Sequence, residues 1–499
     1  MAITAFYNRI DKYIVHAKLR QPLHVGSAES GTGEILIHPI HGMPFVQASG
    51  IAGVFRSCYE ELFGNQNQAM ELFGDNEKTA GRIRFTDARI LGDSDGLLIE
   101  VRPRIHINPV TGTSASAKGK GADSSSGQKF EMEYLGAGQE IEFRVYLYSQ
   151  QSSEEKETPD QKRIEQVFAQ IHNGQLQFGG QKSNGCGSML LLSLRHHAFN
   201  LCTEIGRSEW IREDEEEAIS FEELLESIEK VSINNDYSPR AYTITLDAKT
   251  EGPLLVKSIA LTEAAVRGFF ENNEKEPDYV NMKNVQDQYI VPGSSLKGAL
   301  RSQFERIADY MGRTIPSFES GRITADAFGR TGKKKDTGAS GNIRVFDTII
   351  CPSEGCEQEI ISNRIRIDRF TGGVINSSLF NEQPVHGRLQ IEVAVMKNRS
   401  ADELGKAERS CGMMILTLRD LAFGMFNLGS GYSVGRGFLA ADKMRILRSD
   451  GAIAEITFNE SPARSGHIKA IITDTDGVID SCMQSLLTAS VSDAGKEGV

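Results

Sequence analysis

The chain has 499 residues, 39% of them apolar and 24% charged, with a formal net charge of −12. That length exceeds one ordinary core, so two domains of a soluble globular protein are expected. The acidic balance excludes a protein that coats nucleic acid with its whole surface, yet it leaves room for a local basic groove.

No apolar run is long enough for a membrane span of about 18 residues. The start, MAITAFYNRIDKYIVHAKLR, lacks the continuous apolar segment of a secretory signal. Seven cysteines at irregular spacing fit free thiols in a reducing cytoplasm, so a soluble cytoplasmic protein is expected.

In chain order, residues 13–27 (YIVHAKLRQPLHVGS) read as a strand running into a loop. The loop that follows carries Glu29, Glu34, His38 and His41. The two histidines suggest a metal, but no third and fourth ligand stand at useful spacing. PFVQASGIAGVFRS (44–57) then reads as strand, turn and helix start, with Ser49 and Arg56 at the turn and helix. GRIRFTDARI (81–90) and EIEFRVYLYS (140–149) alternate or run apolar as half-buried strands do. Between them, TGTSASAKGKGADSSSGQKF (111–130) is too polar to pack. It reads either as a loop without order or as one that closes over a phosphate backbone through Lys118, Lys120 and Lys129, which surround Asp123. FGGQKSNGCGSML (178–190) is a glycine-rich turn carrying Lys182.

The second half opens with YTITLDAKTEGPLLVKS (242–258) and a long loop containing Asp278 and Asp287. YIVPGSSLKGALRS (289–302) follows and is expected to be strand, tight turn and helix start. Ser294, Ser295, Lys297 and Arg301 gather there. Free N–H groups at a helix start attract phosphate and nearby cations add to it; a serine cap with solvated basic side chains is the plainer reading. Cys351 and Cys356 are two ligands without two more, and structural zinc is not expected. RIRIDRFTGG (364–373) carries Arg366 and Arg369. TGGVINSSLFNEQPV (371–385) is apolar, with Ile375, Leu379 and Phe380 as side chains that would wedge between bases or dock on a core or partner. RLQIEVAVMK and MMILTLRDL read as strands, and LGSGYSVGRGFL (428–439) as a glycine-rich turn carrying Arg436.

The two halves repeat one another. PFVQASGIAGVFRS aligns with YIVPGSSLKGALRS, LFG (72–74) and GRIRFTDARI with AFG (327–329) and GNIRVFDTII (341–350), and RIHINPVTG (104–112) with RIRIDRFTGG. The glycine-rich turns and the opening strands align in the same order. Two copies of one α+β domain follow, each with a mostly antiparallel sheet. The expected boundaries are 1–205, an acidic linker with a short helix at 206–238, 239–487, and a flexible tail at 488–499. Neither glycine-rich turn has P-loop spacing, neither copy has a dinucleotide fingerprint, and no Ser-His-Asp or Cys-His set assembles.

These motifs resemble the RAMP superfamily, and more narrowly the backbone subunits of type III CRISPR effector complexes. The second copy carries the resemblance best, in YIVPGSSLKGALRS, RIDRFTGG and GSGYSVGRG. The first copy departs from it: Gln47-Ala48-Ser49-Gly50 replaces Pro-Gly-Ser-Ser, Ala52 the lysine, and Asn108-Pro109 the Asp-Arg. Two fused copies look like the double subunit of type III-D systems. The resemblance implies ferredoxin-like, RRM-like cores with thumb-like insertions, and crRNA, target RNA and other effector subunits as partners. It places Ser49, Arg56, Lys118, Lys120, Lys182, Ser294, Ser295, Lys297, Arg301, Arg366, Arg369 and Arg436 on RNA. It also implies Mg²⁺- or Mn²⁺-dependent cleavage of target RNA at an acid near each interruption of the duplex. Asp278 fits in the second copy. In the first, Glu34 is the nearest acid in that place and Asp123 in the insertion is preferred; Asp278 and Asp123 would hold the metal. The alternatives are a purely structural subunit, and a metal-independent RNase that matures the guide precursor, with His24, His38 and His41 as its clustered candidates.

Overall fold

A computed structural model describes residues 7–26, 33–64, 66–75, 80–92, 96–105, 107, 129–150, 158–212, 238–258, 277, 279–315, 318–330, 338–355, 357–397, 405–460 and 468–488. The chain separates into two compact units that are not simply its two halves. Unit 1 comprises Met1–Val101, Met132–Lys182 and Cys186–Ser238; unit 2 comprises Arg102–Glu131, Ser183–Gly185 and Pro239–Val499.

Unit 1 is built on strand β1 (Arg9–Leu19), followed by β2 (Phe45–Val46), helices α1 (Ala48–Phe63) and α2 (Gln66–Phe73), and strands β3 (Ile83–Phe85) and β4 (Ala88–Ile90). The paired strands β5 (Ile99–Ile105) and β6 (Lys129–Leu135) come next, their residues from Arg102 to Glu131 belonging to unit 2, then β7 (Glu140–Ser149), α3 (Pro159–His172), β8 (Met189–Asn200) and α4 (Glu204–Arg212). The sheet runs β2-β4-β7-β1-β8, with β3 also pairing β7. In β7, Ile141, Phe143, Val145 and Leu147 alternate inward, the period-two pattern of a strand with one face on a core. They meet Phe55 and Tyr59 of α1 and Ile164, Val167 and Phe168 of α3. Each such side chain contributes roughly 1.5–3 kcal/mol by leaving water. Helix α3 starts where it does because the Thr158 hydroxyl accepts from Gln161 N (3.2 Å) and Pro159 occupies the first turn.

Unit 2 repeats the plan. Its elements are β9 (Arg240–Thr250), β10 (Tyr279–Val280), β11 (Ile290–Val291), α5 (Gly293–Thr314) and α6 (Ser320–Phe328). Then come the short pair β12 (Gly329–Arg330) and β13 (Ala339–Ser340), β14 (Ile343–Val345), β15 (Thr348–Cys351), and the hairpin β16 (Ser362–Ile367) and β17 (Val374–Gln383). Strand β18 (Arg388–Met396), α7 (Lys406–Ala422), β19 (Leu439–Arg448), β20 (Ile453–Glu460), β21 (Ile468–Thr473) and α8 (Val478–Thr488) complete it. The sheet runs β11-β15-β18-β9-β19, the order of unit 1 strand for strand, and then continues through β20 and β21.

The likeness extends to single hydrogen bonds. Leu23 and Leu135 exchange both main-chain bonds, as do Leu254 and Val385. Phe178 N donates to Gly187 O and Leu428 N to Gly437 O, both at 2.9 Å; Gly187 N donates to Pro22 O and Gly437 N to Pro253 O. Gly187 and Gly437 have positive φ, and a Cβ on either would strike the carbonyl oxygen of Phe178 or Leu428. Only glycine fits that turn.

One element differs from its sequence reading. MMILTLRDL lies inside α7, not in a strand. Ala407, Cys411, Met414, Leu418 and Leu421 recur at helical spacing and are buried, and the short apolar window hid that period. The short helix expected at 221–231 lies outside the described residues.

Candidate nucleic-acid interface

In unit 2 the stretch from 289 folds as strand, turn and helix. Pro292 occupies the N-cap with φ −60° and ψ 141°, and no side chain of the turn caps it. Neither serine is the cap. Instead Gly293 N donates to Asp347 Oδ1 (2.7 Å). Asp347 also accepts from Arg102, Nη1 to Oδ1 at 3.0 Å and Nη2 to Oδ2 at 2.6 Å. A Cβ on Gly293 would lie 2.5 Å from Val345 O and 2.6 Å from Asn184 O, so the close packing of main chain there requires glycine. The helix start thus carries its own carboxylate, and the capacity for a further anion rests on side chains.

Those side chains are cationic. Lys297 is half-buried, with its pKa lowered to about 8 by burial and then by Arg344, Arg301 and Arg104. Three guanidinium groups therefore stand close enough to oppose the charge on Lys297. Lys297 Nζ lies 6.0 Å and Arg301 Cζ 5.7 Å from the centroid of the Phe328 ring, which faces both cations. Arg301 Nε also meets Glu305 Oε1 at 2.7 Å, an exposed pair one helical turn apart. Ser294 is half-buried and Ser295 exposed in the first turn.

A second cationic group surrounds one carboxylate. Glu382 of β17 is buried, and accepts from Arg436 Nη1 of the glycine-rich loop and from Arg364 Nη1 at 3.2 Å. Lys257 Nζ approaches it at 3.6 Å and lies over the Tyr279 ring at 3.5 Å. Burial alone would push the Glu382 carboxyl up; the bonds from Arg436 and Arg364 outweigh it and hold it below the usual range. Arg436, expected on RNA, is thus turned inward into an ion pair. At the places of Glu382 and Arg436, unit 1 has Met132 and Cys186, which with Tyr134 form a small apolar cluster.

The remaining candidates fall as follows. Arg366 and Arg369 are exposed on and beside β16. Ser49 is exposed in the first turn of α1, whose Ala48 N donates to Asp87 Oδ1 (2.7 Å), the counterpart of the Gly293–Asp347 bond. Arg56 binds Glu60 Oε1 (2.8 Å) and Gly74 O (3.0 Å) and so ties α1 to the end of α2. Lys182 is half-buried on a short 3-10 turn, where its carbonyl accepts from Gln177 Nε2. Lys118, Lys120, Asp123 and Asp278 lie outside the described residues, and Glu34 is exposed. His24 is buried with Nδ1 2.8 Å from Glu133 O. The rings of His38 and His41 stack at 4.7 Å on an exposed turn. Among the described residues no three His, Cys, Asp or Glu side chains converge as a metal site, and no helix is long and apolar enough to cross a membrane.

Sequence reading did not single out Arg104, Arg344, Lys257, Arg364, Glu382 or Asp347. Arg364 and Arg366 share an alternating basic strand, a signal that was available; the others meet their partners only through the tertiary fold.

Two copies of one sheet plan, each closed by a glycine-rich loop, define a tandem α+β repeat protein. A family model described as the RAMP superfamily matches residues 16–190 and 247–440, and the chain belongs to that superfamily. Among solved structures, one described as "Cryo-EM structure of the Type III-B Cmr-beta bound to cognate target RNA" matches at 21% identity with a TM-score of 0.29. That match covers 38% of this chain and 61% of the other. No curated protein matches.

Proposed function

We propose that this chain is a CRISPR RNA-binding backbone subunit of a type III effector complex, in a double-copy form similar to type III-D, that also cleaves guide-complementary target RNA. The observation that carries the binding half is the group of Arg104, Lys297, Arg301 and Arg344 in unit 2. Three guanidinium groups repel the charge on Lys297, and a phosphate backbone relieves that repulsion. Phosphate contacts position an RNA without reading its sequence, which fits a guide whose bases must remain free to pair. On this reading each sheet with its helices is a ferredoxin-like core, the β5–β6 and β16–β17 hairpins are the thumbs, and the domains run 1–205 and 239–487 about a linker. The partners are crRNA, target RNA and other effector subunits in the cytoplasm.

Cleavage rests on Asp278 and Asp123 in the resemblance. Both lie outside the described residues; Mg²⁺ or Mn²⁺ held there would supply charge stabilisation or hydroxide. The test is the product ladder from purified complex and labelled complementary RNA. Asp123→Ala and Asp278→Ala should each remove one band with binding intact, and EDTA should remove all. A full ladder from both variants and from their combination would make the chain a structural subunit at those positions. For binding, Lys297→Ala with Arg301→Ala should weaken guide retention and flatten its salt dependence; an unchanged slope would refute the cation site.

A further inference from the structure

Helix α8 follows the two strands that extend the sheet of unit 2 beyond the plan of unit 1, and it lies on α7 by one face. Val478, Ile479, Cys482 and Leu486 recur at helical spacing and are buried. The first turn is held by Asp474, whose carboxylate accepts from Val478 N (2.7 Å), Ile479 N (2.8 Å) and Asp480 N (3.1 Å). The two helices meet closely at Gly412. A Cβ there would lie 3.0 Å from Cys482 O and 2.8 Å from Leu486 Cδ1, so glycine permits the approach. Cys411, the residue before it, donates its S–H to the sulfur of Cys482, and the Tyr242 hydroxyl of β9 donates to the same sulfur. Both cysteines are free, and both are fully buried.

A buried thiol ordinarily behaves as a small apolar group and is inert. Cys482 departs from that. The bond from Cys411 lowers its thiol below the usual range against the effect of burial, and the bond from Tyr242 adds to this. Burial, and then its own bond to Cys482, push the Cys411 thiol up. One sulfur is thus prepared as a thiolate with a protonated thiol already in contact, the pairing that a nucleophilic and a resolving cysteine need.

We infer that Cys482 and Cys411 close a reversible disulfide under hydrogen peroxide, and that this bond fastens α8 to α7. The Cys482 thiolate attacks one peroxide oxygen, the O–O bond breaks and hydroxide leaves, so that Cys482 becomes a sulfenic acid. The Cys411 sulfur then attacks the Cys482 sulfur, the S–O bond breaks, and the oxygen leaves as water with the Cys411 proton. The hydroxide takes up the proton that Cys482 had lost. Two thiols and one peroxide give one disulfide and two waters. Because both sulfurs are buried, peroxide reaches them when α8 lifts from α7, and the disulfide then prevents that opening. In a reducing compartment such a bond is transient and reports oxidant. The inference is independent of RNA binding.

The test treats the full folded chain with hydrogen peroxide, alkylates it under denaturing conditions and maps its peptides by mass. The peptide containing Cys411 should be joined to the one containing Cys482, and dithiothreitol should separate them. Amide exchange in α8 should slow by about 30-fold or more, the low end of what a cross-link contributes. With Cys411→Ala, dimedone should mark Cys482; with Cys482→Ala it should not mark Cys411. Leu486→Ala, which loosens α8, should speed the joining. If peroxide oxidises the exposed Cys202 and Cys351 and leaves Cys411 and Cys482 as free thiols, the inference is overturned and the two thiols only fill space. A dimedone mark on Cys411 in Cys482→Ala would overturn the assigned roles. Joined peptides with unchanged exchange in α8 would overturn the fastening.

Discussion

Replacing Glu382 by Met, the residue unit 1 has at that place, tests how the glycine-rich loop of unit 2 is held. The substitution leaves the Arg436 guanidinium buried, with the Ser362 hydroxyl at 3.4 Å as a remaining side-chain contact. An uncompensated buried charge costs about 3–5 kcal/mol. Arg436→Cys should cost less, about 1–3 kcal/mol, because Glu382 keeps Arg364 at 3.2 Å and Lys257 at 3.6 Å. The combined variant restores the pairing of Met132 with Cys186, and its two released cations, Arg364 and Lys257, are only partly buried and reach water. It should therefore recover most of the loss, since apolar replacement of a buried pair is often neutral. Native-state hydrogen exchange across β17 and residues 428–439 would measure each opening free energy. The pH sign is fixed as well. Glu382 has a depressed folded pKa, so its contribution is present above the ordinary value of 4.5 and disappears as pH falls through the folded one. A combined variant as unstable as Glu382→Met alone would refute the equivalence of the two sites.

Lys297 should make RNA affinity fall as pH rises through about 8, while Lys297→Arg removes the dependence. Its depressed pKa gives stability the opposite sign, rising with pH because the unfolded chain binds the extra proton; filter binding and urea unfolding at matched pH would expose either error. Asp347→Ala should cost about 3–5 kcal/mol by breaking the two-bond ion pair of buried Arg102, whereas Asp87→Ala removes only an exposed cap and should cost about 0.5–2 kcal/mol. Equal losses in urea unfolding would contradict this. Gly437→Ala should abolish soluble expression, because the Leu428 carbonyl blocks a Cβ, whereas Gly435→Ala meets open space and should cost about 1–2 kcal/mol of left-handed strain. Similar thermal midpoints for the two would refute the distinction.

The repeat was legible because it rests on residues whose chemistry shows in one dimension. Gly187 and Gly437 mark a turn that excludes Cβ, and Phe143 or Val393 mark a strand period. The strand, turn and helix at 289–302 were read for the same reason. Helix 406–422 was partly misread because its window was apolar on too many sides. The partners of the cations were not legible. Glu382 meets Arg436 across 54 residues, and Asp347 meets Arg102 across 245, through tertiary contacts that composition does not record. Ser294 and Ser295 looked like caps because serine often caps, but a distant aspartate had already filled that place.

The Arg102–Asp347 contact also sets an order in time. Unit 2 draws on Arg102–Glu131 and Ser183–Gly185, so it is discontinuous along the chain. On the ribosome, Arg102 emerges 245 residues ahead of its carboxylate, roughly 12–50 s earlier at ordinary elongation rates. Its guanidinium must stay solvated through that interval. A fragment beginning at the linker would lack it altogether and would leave Asp347 and the tight face of Gly293 uncovered. The second unit is therefore completed by chain made before it, and a cut between residues 206 and 238 would take Arg102–Glu131 and Ser183–Gly185 away from it.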